Sequence, residues 1–267
     1  MTKRDRINNT VKNGQDLSAE IAQYKDKKFY LYSGHWTSHW LFASRERHWL
    51  STEIEKIRFY NFLSRYISNK SYFRDAKVLI APIGTGDEAK FLQGLYRELH
   101  GVDISEIALS ECPKHIKTKK TDILHSGYED KSFDIVLCPS FLHHVHRVGF
   151  QPFIAEYYRI LRPGGTLAIQ EPSSLYPVFR FMSFLRRFMG NVTGLVPDER
   201  PIYPPKITRI LKDTGFINIK VRGLHFNHVR FPTFLQLTSL LLDWPWRVLW
   251  PFKLFSNGIG WYYEKPK

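Results

Sequence analysis

Cysteine is nearly absent: the 267-residue chain holds two, Cys112 and Cys138. That excludes a disulfide framework and a multi-cysteine zinc site, and it points to a reducing, cytoplasmic compartment. No uninterrupted apolar run reaches the roughly 18 residues that a spanning helix needs, so no transmembrane helix is expected. Residues 1–28 are too polar for a secretory signal peptide. Acids are scarce, with 25 Asp+Glu against 39 Lys+Arg and a net charge of +14. The deficit is uneven: residues 1–72 carry a net +6, residues 73–175 a net −1 and residues 176–267 a net +9. The near-neutral centre is thus flanked by basic segments. These either meet something anionic (a phosphate-bearing substrate, a lipid head group, nucleic acid) or simply keep the surface solvated.

Apolar residues make up 43% of the chain, enough for the core of one large α/β domain with embellishments. The organising stretch is 77–88. Its apolar run 78–83 predicts a buried parallel strand. Gly84-Thr85-Gly86 breaks that run, and a helical pattern follows over 87–95. Glycines at such a turn let the backbone bend tightly and let a ligand approach the main chain. A second apolar stretch ends in an acid, Asp103, 17 residues after Gly86. A carboxylate there can accept hydrogen bonds from both hydroxyls of a ribose.

Further signals follow in order. Phe29 to Tyr32 begins ordered structure. His35 and His39 share a face if helical, but no acid or cysteine accompanies them, so they are read as packing or a lid and no metal site is expected. Residues 53–67 have helical apolar spacing. Ser105 can cap a short helix over 106–111. Lys117 to Lys120 reads as exposed, and a third strand should end at 121–124. Residues 132–138 form a fourth strand running into Pro139-Ser140-Phe141-Leu142-His143-His144. Pro152 opens a helix reaching Leu161, which Arg162-Pro163-Gly164-Gly165 terminates. A fifth strand covers 166–170 and ends at Glu171-Pro172. Alternating strand and helix signals mean a parallel sheet with helices on both faces.

These residues resemble the class I S-adenosylmethionine-dependent methyltransferases, specifically the type 11 methyltransferase-domain family. The resemblance rests on the 78–86 glycine loop, Asp103, Thr121-Asp122-Ile123, the run from Phe133 to His144, and Leu161-Arg162-Pro163-Gly164-Gly165-Thr166-Leu167. It covers 70–175 well and 205–221 more weakly. It implies a doubly wound, mostly parallel seven-stranded Rossmann-like sheet, with a helical N-terminal lid and C-terminal insertions. It also implies S-adenosyl-L-methionine as cofactor. By position, Pro82, Gly84, Thr85 and Gly86 would cradle the methionine part, Asp103 and Ile104 the ribose region, and Asp122 and Ile123 the adenine. Pro139 and Ser140 would line the methyl-transfer site. The chain departs from the family where an acid usually stands two residues before the first glycine: those positions hold Ile80 and Pro82. For a catalytic base, the candidates are His144, His143 and Glu171, against the reading that each merely packs or orients a loop.

The chain divides into an N-terminal helical lid segment (1–72), a cofactor-binding core (73–175), and substrate-cap helices with an aromatic insertion and the last strands (176–267). Residues 178–189 predict an amphipathic helix, with Val178, Phe181, Met182, Leu185, Phe188 and Met189 on one side and Arg180, Ser183 and Arg187 on another. A helix over 206–214 and strands over 216–223 and 259–264 bracket an insertion rich in Leu and Trp. Trp beside Lys and Arg suits either a membrane–water interface or a lid over an apolar pocket. The expected acceptor is a small molecule, apolar-anionic or lipid- or glycan-linked, taken up by a cytoplasmic enzyme that can associate with an anionic membrane surface. The rivals are a nucleic-acid methyltransferase and a non-catalytic protein that keeps the cofactor fold. Against nucleic acid as partner, the basic residues form no compact tract and no appended module.

Overall fold

The computed structural model describes residues 48–189, 199–228 and 233–267. Phe29 to Tyr32, His35 and His39 lie outside these, as do the side chains of Arg187 and Met189.

The sheet begins with β1 (Ala76–Ile80), followed by β2 (Tyr96–Asp103) and β3 (Lys117–Lys120) on one side of it. On the other side lie β4 (Phe133–Pro139) and β5 (Leu161–Pro172). The last two strands are β6 (Ile217–His225) and β7 (Gly258–Glu264). Their order is β3-β2-β1-β4-β5-β7-β6. β1 to β5 pair in parallel, and β7 runs antiparallel between β5 and β6. Chain order reverses direction between β1 and β4, which opens a crevice at the carboxyl ends of those strands.

Alternation along the strands builds two cores. Leu79, Val136, Cys138, Leu167 and Trp261 face one side. Val78, Ile80, Ile135, Leu137 and Tyr262 face the other, where helix α1 (His48–Ile67) lays Phe59, Tyr60, Leu63 and Ile67 on them. The Tyr262 hydroxyl donates to the Phe59 carbonyl at 2.9 Å, fixing α1 to the sheet. After β2 comes α2 (Glu106–Ser110), capped by the Ser105 hydroxyl, which accepts from the Ala108 N–H at 3.2 Å. Against the first core pack α3 (Gln151–Ile160), with Pro152 in its first turn, and further along the chain a helix over Pro204–Asp213. Between these two, α4 (Pro177–Met189) follows β5, so the Pro204–Asp213 helix is α5. The insertion between β6 and β7 holds α6 (Thr233–Leu241), α7 (Trp244–Val248) and a one-turn helix at Phe252–Phe255.

Four sequence expectations need correction. β1 stops at Ile80 rather than running to 83, because Pro82 has no N–H to continue the ladder. Pairing resumes on either side of it: the Ala81 N–H donates to the Leu137 carbonyl and the Ile83 N–H to that of Val102, both at 2.9 Å. The helix expected over 87–95 is a short 3-10 helix, Asp87–Leu92, cut off where Gly94 takes φ +76°. The third strand is Lys117–Lys120 itself, exposed at all four positions, and Thr121 already belongs to the turn after it. In α4 the expected apolar side does not pack as a unit: Met182 is buried, whereas Phe181 and Phe188 are exposed.

Candidate active site

The glycine turn follows β1 at the carboxyl edge of the sheet. Gly84 and Gly86 take φ +56° and +79°, conformations that glycine adopts without steric cost. The turn is tied to the end of β2: the Gly84 N–H donates to Asp103 Oδ2 at 2.9 Å, and the Ser105 N–H donates to Oδ1 at 2.8 Å. The Cys112 thiol donates to the Gly84 carbonyl at 3.2 Å. Burial raises the Asp103 carboxyl above its ordinary range, and the N–H groups of Ser105, Gly84 and Ile104 pull it back. Oδ2 accepts from Gly84 and Oδ1 from Ser105, with the Ile104 N–H also close to the carboxylate, and lone-pair capacity for a diol remains. Ile104, beside it, is exposed. Asp122 caps the one-turn helix Ile123–His125 by accepting from the Leu124 N–H at 3.0 Å, and Ile123 is buried.

Pro139 ends β4 and is buried, whereas Ser140 is exposed at φ +49° and donates its N–H to the Gln170 carbonyl at 2.7 Å. Glu171, fully buried at the end of β5, gathers the next turn. Its Oε1 accepts from the Phe141 and Leu142 N–H groups at 2.8 and 2.6 Å. Its Oε2 accepts from the His143 N–H at 3.3 Å and from His143 Nδ1 at 2.7 Å. On the other side of the ring, His143 Nε2 lies 3.2 Å from Glu199 Oε1. Burial alone would lower the pKa of His143. The two carboxylates overcome that and raise it to about 10, so His143 is an imidazolium at neutral pH. Its neighbour His144, with ring centroids 4.0 Å apart, is pushed down to about 4 by burial and then by the His143 charge. His144 is therefore neutral.

The structure thus brings His143, His144 and Glu171 together, in different surroundings. His143 has both nitrogens engaged and no vacancy for a substrate proton; Glu171 is spent on holding the 141–143 turn. Ligand atoms of His143, His144 and Glu199 lie within 4.8 Å of one another, the one such trio among the described residues.

Other residues at this edge escaped the sequence reading. Glu199 sits in a polar loop with no periodic signal; its neighbour Arg200 donates its N–H to the His143 carbonyl at 3.0 Å. Gln170 Oε1 is buried without a partner. Glu88, two residues past Gly86, pairs with Lys56 at 2.8 Å, while its Oε2 is buried without a partner. His225 Nε2 approaches Glu55 Oε2 at 3.2 Å without hydrogen-bond geometry. The position of the family's usual acid, Ile80, is a fully buried core residue.

Residues 81–169 match the family model described as a methyltransferase domain. The chain is 30% identical over 111 residues to an uncharacterised protein of Haemophilus influenzae, covering 38% of this chain and 44% of that protein. It is 26% identical over 180 residues to the "probable methyltransferase ltbC" of Aspergillus luteorubrus, covering 58% and 60%. The match thus spans about half the length of these curated relatives. Among solved structures, a SAM-dependent methyltransferase of Thermotoga maritima superposes with a TM-score of 0.55 at 17% identity, covering 78% of this chain and 91% of that one. One from Archaeoglobus fulgidus gives 0.51 at 15%, covering 77% and 94%. The fold is that of the class I S-adenosylmethionine-dependent methyltransferases. Its 81–169 segment matches the methyltransferase-domain family.

Proposed function

We propose that the protein binds S-adenosylmethionine and transfers its methyl group to a small acceptor with an apolar body and an anionic group, lipid- or glycan-linked. The observation that carries the cofactor part is Asp103: a buried carboxylate clamped to the glycine turn by the Gly84 N–H, with acceptor capacity remaining on both oxygens. When bound, the cofactor supplies an activated methyl on a sulfonium. The chain supplies position. Asp103 would accept from the ribose hydroxyls, Asp122 and Ile123 would border the adenine, and Pro139 and Ser140 would border the transferring methyl. The Glu171–His143 pair holds the turn bearing His144 at that edge. Methyl transfer to an amine or carbanion needs positioning and water exclusion alone. For a hydroxyl acceptor, neutral His144 is the group able to take the proton.

The acceptor class rests on the surroundings. The connections that rise from this edge, α4 and the α6–α7 insertion, expose Phe, Leu and Trp side chains, and residues 176–267 carry a net +9. The test is calorimetric titration with S-adenosylhomocysteine, followed by label transfer from methyl-labelled S-adenosylmethionine into a lipid extract and, separately, into the aqueous metabolites. Saturable binding and label in the lipid fraction are expected. No binding to S-adenosylhomocysteine overturns the reading, and label confined to water-soluble acceptors overturns the acceptor class.

A further inference from the structure

Four of the most exposed apolar side chains lie in two segments: Phe188 (74% exposed) on α4, and Leu241 (81%), Leu242 (73%) and Trp250 (71%) in the insertion. Phe181, Phe184, Trp244 and Phe252 are exposed with them. Sheet topology places both segments at one end of the molecule. α4 leaves the carboxyl end of β5; the insertion leaves the carboxyl end of β6 and returns at the amino end of antiparallel β7. That edge also carries the 84–86 turn and the His143–Glu171 pair.

The charges here have one sign. α4 contains no acid. The insertion over 229–257 contains one, Asp243, whose side chain is fully buried against Arg58 and Arg247. Neither segment therefore exposes a carboxylate among its described residues. Arg180 is exposed beside the phenylalanines, and the Lys253 ammonium lies 5.7 Å from the centroid of the Trp250 ring. Burial lowers the Lys253 amine, and the nearby charges of Arg222 and Lys220 lower it further, which marks a basic cluster. Aromatic and aliphatic tips with cations beside them, and no exposed acid in either segment, match the boundary of an anionic bilayer. A second copy of the chain would set this basic face against itself.

We propose that α4 and the insertion form an interfacial docking surface for an anionic lipid bilayer, which presents the acceptor to the adjoining site. No helix among the described residues is long and apolar enough to cross a membrane, so docking would be peripheral, reversible and salt-sensitive. The proposal deepens the methyl-transfer reading, from which it takes its purpose.

Flotation of the full chain with vesicles of phosphatidylcholine plus phosphatidylglycerol, and with phosphatidylcholine alone, tests it. At least about tenfold tighter binding to the anionic vesicles is expected, falling as salt rises. The exposed substitutions Trp250→Ser and Phe188→Ser should each weaken that binding roughly tenfold while leaving S-adenosylhomocysteine titration unchanged. Equal or negligible binding to the two vesicle types overturns the proposal. So does unchanged vesicle binding by both variants, or a wild-type dimer in light scattering that Trp250→Ser dissociates. If the vesicles fail while S-adenosylhomocysteine binds, the docking surface falls alone. If the reverse is found, the surface stands and the methyl-transfer reading falls.

Discussion

His143 Nδ1 lies 2.7 Å from Glu171 Oε2, joining the turn after β4 to the end of β5 at the edge where the candidate site residues meet. Glu199 closes the opposite side of the ring, and the His144 ring lies tilted beside it. The pair makes stability depend on pH. His143 titrates near 6.5 when unfolded and at about 10 when folded, so the native state holds the proton more tightly. The resulting stabilisation is fully present below about pH 6.5 and is lost as pH rises towards 10. Urea midpoints measured between about pH 7 and 9 should fall with pH, and Glu171→Gln should flatten that slope. A wild-type curve that rises over the same window would show that His143 is neutral in the folded chain.

Asp103 has one observed duty and one proposed, so its loss should show in two measurements. Asp103→Ala removes the acceptor for the Gly84 and Ser105 N–H groups as well as the carboxylate proposed to hold the ribose. S-adenosylhomocysteine binding should weaken by about 1–3 kcal/mol, with some loss of thermal stability. Unchanged affinity in the calorimeter would move the ribose contact to another residue.

Gly86 cannot be replaced freely. At φ +79° an L side chain is strained, and an added Cβ would lie 2.8 Å from Pro113 Cδ and 3.3 Å from Cys112 Sγ. Gly86→Ala should destabilise the protein by about 1–3 kcal/mol and displace the turn that would carry the cofactor. Denaturant melts paired with calorimetry check both effects; wild-type values in the two would mean that the turn relaxes without cost.

Most of the sheet was legible because its central strands are buried on both faces. The run Phe133–Pro139 announces a central strand, and the glycine turn marks the carboxyl edge of β1. β3 was not legible, since Lys117–Lys120 is an exposed edge strand with no apolar residue to give periodicity. Pro82 shortened β1 through a missing donor, an effect that hydrophobic patterning does not register. Glu199 could not be assigned to His143 from sequence, because the contact spans 56 positions and a loop without pattern. The fate of α4 was hidden for another reason: amphipathic spacing reports that a helix has an apolar side, whereas the packing of neighbouring elements decides which of those residues are covered.

The insertion is fastened by one buried acid. Asp243 accepts from Arg58 Nη1 on α1 and from Arg247 Nε on α7 at 2.8 Å; Arg58 Nη1 also donates to the Leu224 carbonyl at 2.8 Å near the end of β6. Removing the carboxylate leaves two neighbouring guanidinium groups without their anion, both only partly exposed. Breaking a fully buried pair in this way typically costs about 3–5 kcal/mol; solvent access to the arginines reduces that here to about 1–3 kcal/mol. Asp243→Ala should therefore lower the melting temperature and loosen the insertion before the sheet. Limited proteolysis read by mass spectrometry should show first cuts within 229–257 in the variant, well ahead of cuts in 76–172. Because Arg58 sits on α1, cuts near His48–Ile67 should come next. If wild type and variant are cut at the same sites and rates, the insertion is held by its apolar contacts, and the Arg58–Asp243–Arg247 cluster is incidental to its placement.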